Sequence, residues 1–339
     1  MTTIERLDLE RLSLPLHTPF VTALRRATTV ETVVVRVTDS DGRVGLGEAP
    51  QVWQVTGDSV AGSAACLEGP LRRAVLGRSA DPAQTWPVIA GAVAGNRAAK
   101  AALDSALHDL AGLRTDAVTT VVTVPVGEPD DLAEAARARV AEGFSVLKLK
   151  VGTDAATDLA RVQAVRDGAG PDVTVRLDAN QGWDAFAAVE VIRAVEDAGL
   201  RVELVEQPVP AGDLLGLAHV RRHVQTPVMA DESVFDLDDL VALIRHEAAD
   251  LVNLKLAKAG GITPALELAR VARLHGLGVS VGCMLESHVG VRAAAALAVE
   301  IGCDVVPDLD GAWWLADGAP YAELLVCAAG QVTPGRMST

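Results

Sequence analysis

The 339-residue chain carries 45 acidic against 30 basic side chains, a net charge of −15, with half its residues hydrophobic and 22% charged. That balance excludes a disordered chain and argues against nucleic acid as a partner, because affinity for phosphate backbones comes from Lys and Arg. Charged residues stand at the start where a signal peptide needs an apolar core, no apolar run reaches membrane-spanning length, and Cys66, Cys283, Cys303 and Cys327 form no CxxC pair, so a reduced, cytoplasmic protein without membrane contact is expected.

Taken in order, residues 4–14 and 32–38 alternate as antiparallel strands, and Asp41-Gly42 marks a hairpin turn before 44–48. Ala-rich helical patterns follow at 59–74 and 97–111. Strands first and helices afterwards describe an α+β unit, with a boundary placed at 112–116. From residue 118 the pattern alternates strand and helix. Strands are expected at 119–126, 146–150, 173–178, 202–206, 227–231, 251–256, 279–285 and 305–310, with helices such as 132–141, 155–166 and 264–274 between them. Eight such repeats with no Gly-rich phosphate turn favour a closed α/β barrel over an open doubly wound sheet. The expected division is a capping domain, 1–115, completed by the tail 316–339, and a barrel, 116–315.

Five of these strands end in ionisable groups: Lys148 and Lys150, Asp178, Glu206, Asp231 and Lys255. The acids are 28 and 25 residues apart, one strand plus one helix each, so the ends gather at one barrel mouth. Three carboxylates there would repel one another unless a cation joins them, and an all-oxygen set suits Mg²⁺ or Mn²⁺. Lys148 and Lys150 share the inward face of their strand, while Leu147 and Leu149 take the other. A lysine among cations gives up its proton more easily, which makes Lys150 usable as a base. Lys258 is expected in a loop.

Lys148-Leu-Lys150, Asp178-Ala-Asn180, Glu206-Gln-Pro208, Asp231-Glu-Ser233 and Asn253-Leu-Lys255-Leu-Ala-Lys258 together resemble the muconate lactonising subgroup of the enolase superfamily. The resemblance implies a modified (β/α)7β TIM barrel with an N-terminal α+β cap. It implies one Mg²⁺ per subunit, replaceable by Mn²⁺, on Asp178, Glu206 and Asp231, and Lys150 and Lys255 as acid/base partners on opposite faces of the substrate carbon.

Within the subgroup, Asp308-Leu-Asp310 puts two carboxylates on one face, away from the metal, where a substrate ammonium would satisfy them. The pair is similar to the signature of dipeptide epimerases. Residues 19–25 resemble the capping loop of the L-Ala-D/L-Glu epimerases, which implies Arg25 on the glutamate side-chain carboxylate, a bidentate task suited to guanidinium; Arg26 beside it leaves that choice open. Thr123, Lys148, Cys283 and Leu285 match further substrate-contacting positions. Trp313-Trp314 departs from the smaller residues common there. The expectation is a Mg²⁺-dependent isomerase that epimerises a dipeptide, L-Ala-D/L-Glu, in cell-wall peptide recycling, as a homo-oligomer. The alternatives are an o-succinylbenzoate synthase, an N-acylamino-acid racemase, a cycloisomerase, or a non-catalytic metal-binding homologue.

Overall fold

A computed structural model describes residues 2–22, 25–114 and 116–335. Alternating apolar residues build a first, antiparallel sheet of β1 (Ile4–Val21), β2 (Arg26–Asp39) and β3 (Val44–Pro50). The β2–β3 turn is the expected Asp41-Gly42 hairpin. Asp39 Oδ1 accepts the N–H of Asp41 at 3.0 Å and of Arg43 at 2.9 Å, and Gly42 takes the left-handed φ of 77° that favours glycine. The first expected helix is Val60–Cys66, carried on through a π-helical stretch, Leu67–Leu71, into Arg72–Val75. A further helix, Pro82–Ala92, adds to the two expected ones, capped by the Asp81 carboxylate.

The helix Arg97–Leu110 lies on the sheet, with its backbone close against Gly45 and Gly47 of β3. A Cβ on Gly47 would stand 1.9 Å from the Ala102 carbonyl oxygen, and one on Gly45 2.0 Å from that of Ala106. Backbone rests on backbone here, so Gly45 and Gly47 tolerate no larger residue. Val33, Val35, Val37, Leu103 and Leu107 form the core beneath this helix, which also takes in Ala257 and Met284 from the barrel.

A second sheet is parallel: β5 (Val122–Val124), β6 (Val146–Lys150), β7 (Thr174–Asp178), β8 (Val202–Glu206), β9 (Val228–Ala230), β10 (Leu251–Lys255) and β11 (Gly278–Gly282), neighbours in chain order. Three expected strands differ, the simplest being 279–285, which stops at Gly282. Residues 119–126 split, because β4 (Val118–Thr119) leaves the barrel to pair with the tail. The expected last strand, 305–310, is reduced to a bridge between Asp308 and Gly282. Pro307 has no N–H to give a ladder, yet its carbonyl accepts from Val121 N at 3.0 Å and so closes the ring onto the first strand.

Two acidic residues of the N-terminal unit cap barrel helices. Asp104 accepts from Thr263 N and Thr263 Oγ1, both at 2.8 Å, at the start of Ile262–Leu274. Glu48 accepts from Ser287 N at 2.9 Å and Gly290 N at 2.8 Å at the start of His288–Ile301. Each carboxylate meets the orphan donors and positive end of a helix dipole. Burial nevertheless pushes Asp104 up to about 6. The tail forms a hairpin of β12 (Leu325–Ala328) and β13 (Gln331–Pro334), with β13 beside β4. Ala316 N donates to Pro15 O, tying this segment to β1 as well. Among the described residues no helix is long and apolar enough to cross a membrane.

Candidate active site

The parallel strands point alternate residues inward. On β6 that sends Lys148 and Lys150 to the mouth while Leu147 and Leu149 join the core. Lys150 pairs in register with Asp178, and Asp178 with Glu206. Lys150 Nζ lies 2.5 Å from Asp178 Oδ2. Lys148 Nζ touches Asp308 Oδ2 and stands 3.3 Å from Glu206 Oε2 and 3.4 Å from Asp178 Oδ2. Across the barrel, Lys255 Nζ meets Asp231 Oδ2 at 2.6 Å. Asn253 Nδ2 donates to Glu206 Oε1 at 2.7 Å.

The loops behind the acids are braced. Gln207, with an unusual φ of 35°, accepts on Oε1 from Asp231 N at 2.9 Å and donates from Nε2 to Ser233 Oγ at 2.8 Å. Its side chain thus ties the end of β8 to the turn that carries Asp231, which is how a strained backbone is held at a functional site.

Charge crowding shapes the electrostatics. Burial raises the Asp178 carboxyl, but the neighbouring lysines Lys150 and Lys148 outweigh it and hold it below its usual range. Glu206 goes the other way, lifted by burial and by Asp178. Burial lowers Lys255, yet Asp231 and Glu206 hold its ammonium above the ordinary value. Glu232 is pushed up to about 8 by burial and by the charge of Asp231.

Among the described residues no three His, Cys, Asp or Glu side chains are gathered as a ready metal cluster. Asp178, Glu206 and Asp231 each spend an oxygen on a lysine instead. The donor set nonetheless fits a hard divalent cation. It is all oxygen, on consecutive strands, and buried. Glu232 Oε2 and Asn180 Oδ1 beside them are buried without a hydrogen bond, a costly condition that a nearby cation would relieve.

One cavity collects most of the expected residues. Lys148, Lys150, Lys255 and Asp231 line it with Thr123, Cys283, Leu285, Asp308 and Asp310. Asp178 and Glu206 lie beneath, wholly buried. The N-terminal unit closes the cavity with Phe20, Thr22, Arg25, Val52, Gln54 and Val55. Arg25 faces the cavity, where burial lowers its guanidinium below the ordinary value, whereas Arg26 is exposed. Ala23 and Leu24 of the same loop lie outside the described residues.

Lys258 corrects an expectation. It is not a loop residue but sits in a single helical turn, Leu256–Ala259, and is 1% exposed. Its ammonium stands 2.6 Å from Asp231 Oδ1 and donates to the carbonyls of Asn253 at 3.1 Å, Val234 at 3.2 Å and Asp231. The spacing of Lys255 and Lys258, one helical turn, was the available signal. Asn180, Glu232 and Asn253 stood in the motifs without a role, and the cap loop carrying Gln54 had no motif to mark it.

A capped parallel barrel with lysines facing carboxylates at its mouth defines an enolase-superfamily protein. Residues 8–120 match the mandelate racemase / muconate lactonizing enzyme N-terminal domain, and residues 131–336 the enolase C-terminal domain-like family. The chain belongs to this family. It is 43% identical over 307 residues to the L-Ala-D/L-Glu epimerase of Bacillus subtilis, covering 86% of this chain and 84% of that one. A substrate-liganded structure of the Bacillus subtilis epimerase superposes with a TM-score of 0.93 at 38% identity, over 98% of each chain. A dipeptide epimerase from Enterococcus faecalis, solved with Mg and L-Leu-L-Tyr, gives 0.90 at 33% identity, over 98% of this chain and 97% of that one.

Proposed function

We propose that this protein is a Mg²⁺-dependent dipeptide epimerase that inverts the α-carbon of the C-terminal residue, with L-Ala-D/L-Glu as substrate. One observation carries the reading. Lys150 on β6 and Lys255 on β10 stand four strands apart in the barrel and line the same cavity, the arrangement needed for a base on each face of one carbon. The similarity to the Bacillus and Enterococcus epimerases supports the substrate class.

In this reading Asp178, Glu206 and Asp231 hold the divalent ion, with Mn²⁺ an acceptable substitute. When bound, the ion supplies positive charge where the substrate carboxylate gains electron density as the α-proton leaves. One lysine, as free amine, takes that proton, and the other, as ammonium, delivers one to the opposite face. Lys148 keeps Asp308 in place, and Asp308 and Asp310 receive the substrate ammonium. Arg25 takes the distal carboxylate. Thr123, Cys283 and Leu285 complete the walls.

The four unpaired cysteines support a cytoplasmic setting, and cell-wall peptide recycling follows from the substrate. A homo-oligomer is part of the same reading, as is common for enzymes of this size. The experiment is α-proton exchange with D₂O, followed by NMR across a small dipeptide library with Mg²⁺. Exchange is expected on L-Ala-L-Glu and L-Ala-D-Glu; a library without any exchanging member contradicts the proposal.

A further inference from the structure

Asp308 and Asp310 are not equivalent in their surroundings. Asp308 gives Oδ2 to Lys148, and its Oδ1 is buried without a hydrogen bond. Asp310 Oδ2 accepts twice, from Thr123 N at 2.8 Å and from Trp314 Nε1 at 3.0 Å. Both donors end on the same oxygen, so the orientation of the carboxylate is fixed from behind.

Trp314 is 2% exposed and does not line the cavity. A buried indole N–H needs an acceptor, and Asp310 supplies it. The ring of Trp314 meets Phe20 edge-on at 5.1 Å and stacks on His17 at 5.6 Å. Phe20 does line the cavity, near the end of β1 and just before the segment that carries Arg25. One buried side chain therefore touches both the carboxylate assigned to the substrate ammonium and the strand leading to the loop over the cavity.

We propose that Trp314 is a positioning residue for amino-terminal recognition. Its indole N–H holds Asp310 in the orientation that receives an ammonium, and its ring seats Phe20 beneath the capping loop. It acts through these two residues and touches no substrate. The inference rests on the dipeptide-epimerase reading.

The test uses the purified full-length protein with Mg²⁺, taking kcat and KM from α-proton exchange on L-Ala-L-Glu. If the wild-type chain turns over no dipeptide, the epimerase reading fails first and this inference falls with it. Given wild-type turnover, Trp314→Phe removes the N–H and keeps a ring. KM is expected to rise about tenfold with kcat within about twofold, as for loss of a hydrogen bond to a charged group. Trp314→Phe combined with Asp310→Asn is expected to bind no worse than Asp310→Asn alone. An unchanged KM, an equal fall in kcat, or fully additive penalties overturn the proposal. A second measurement needs no Trp314 variant. With ¹⁵N-labelled tryptophan, one indole N–H signal is expected to move both on adding dipeptide and on Asp310→Asn, and the absence of such a signal overturns it as well.

Discussion

Replacing Lys258 by Met isolates what a buried ammonium contributes beside the acids. The side chain is 1% exposed, with Asp231 Oδ1 at 2.6 Å and three backbone carbonyls as acceptors. Breaking a buried ion pair costs about 3–5 kcal/mol, and the low end applies because Lys255 stays 2.6 Å from Asp231. Three carbonyls losing a donor add about 1 kcal/mol each, and burying the Met thioether returns about 2 kcal/mol. The expected net loss is about 4 kcal/mol. Urea unfolding followed by circular dichroism measures it, as a lower midpoint at unchanged slope, with Mg²⁺ and again with EDTA. Lys255→Met strands no carbonyl and is expected to cost less than half as much. A loss below about 1 kcal/mol for Lys258→Met would refute the structural role given to that ammonium.

Other expectations follow from the same geometry. Gly47→Ala forces a Cβ against the Ala102 carbonyl at 1.9 Å; a destabilisation of about 3 kcal/mol or more is expected in urea, and a neutral effect would mean the sheet and helix separate freely. Burial, with Glu48 beside it, pushes Glu286 up to about 8 from 4.5. The folded chain then keeps a proton that the unfolded chain has released. Stability is therefore expected to fall as pH climbs from 4.5 towards 8, by at most about 1.4 kcal/mol per unit. Glu286→Gln should flatten that slope in pH-dependent melting, and an unaltered slope would place the titration elsewhere. Arg25→Met is expected to raise KM for L-Ala-L-Glu by about 10- to 100-fold while sparing an L-Ala-L-Leu substrate, with Arg26→Met close to wild type; the reverse pattern in exchange kinetics would exchange the two arginines.

The fold class and the placing of the strand-end charges at one mouth were both legible in the sequence. Strand-end charges at regular spacing reveal barrel order because alternation fixes which face each residue takes, and Lys148, Lys150, Asp178 and Glu206 need nothing more. Lys258 escaped because its one-turn spacing from Lys255 is the sole mark of a helix that starts directly at the strand end, with no side-chain cap before it. The last strand failed on Pro307, which permits closure through its carbonyl but no ladder. The helix Pro82–Ala92 does carry start signals, Asp81 and Pro82, yet Pro87 inside it breaks the pattern. The bond from Trp314 to Asp310 joins residues of one short segment, but only the burial of both makes it consequential.

The two-face assignment of Lys150 and Lys255 is tested most directly by removing one lysine at a time. L-Ala-L-Glu and L-Ala-D-Glu are incubated separately in D₂O with Mg²⁺ and each variant, and NMR follows both α-proton loss and conversion. With Lys150→Met, exchange is expected in only one of the two isomers and conversion in neither. With Lys255→Met, the other isomer exchanges, again without conversion. If both variants exchange the same isomer, or either still interconverts the pair, the lysines do not serve opposite faces of one carbon.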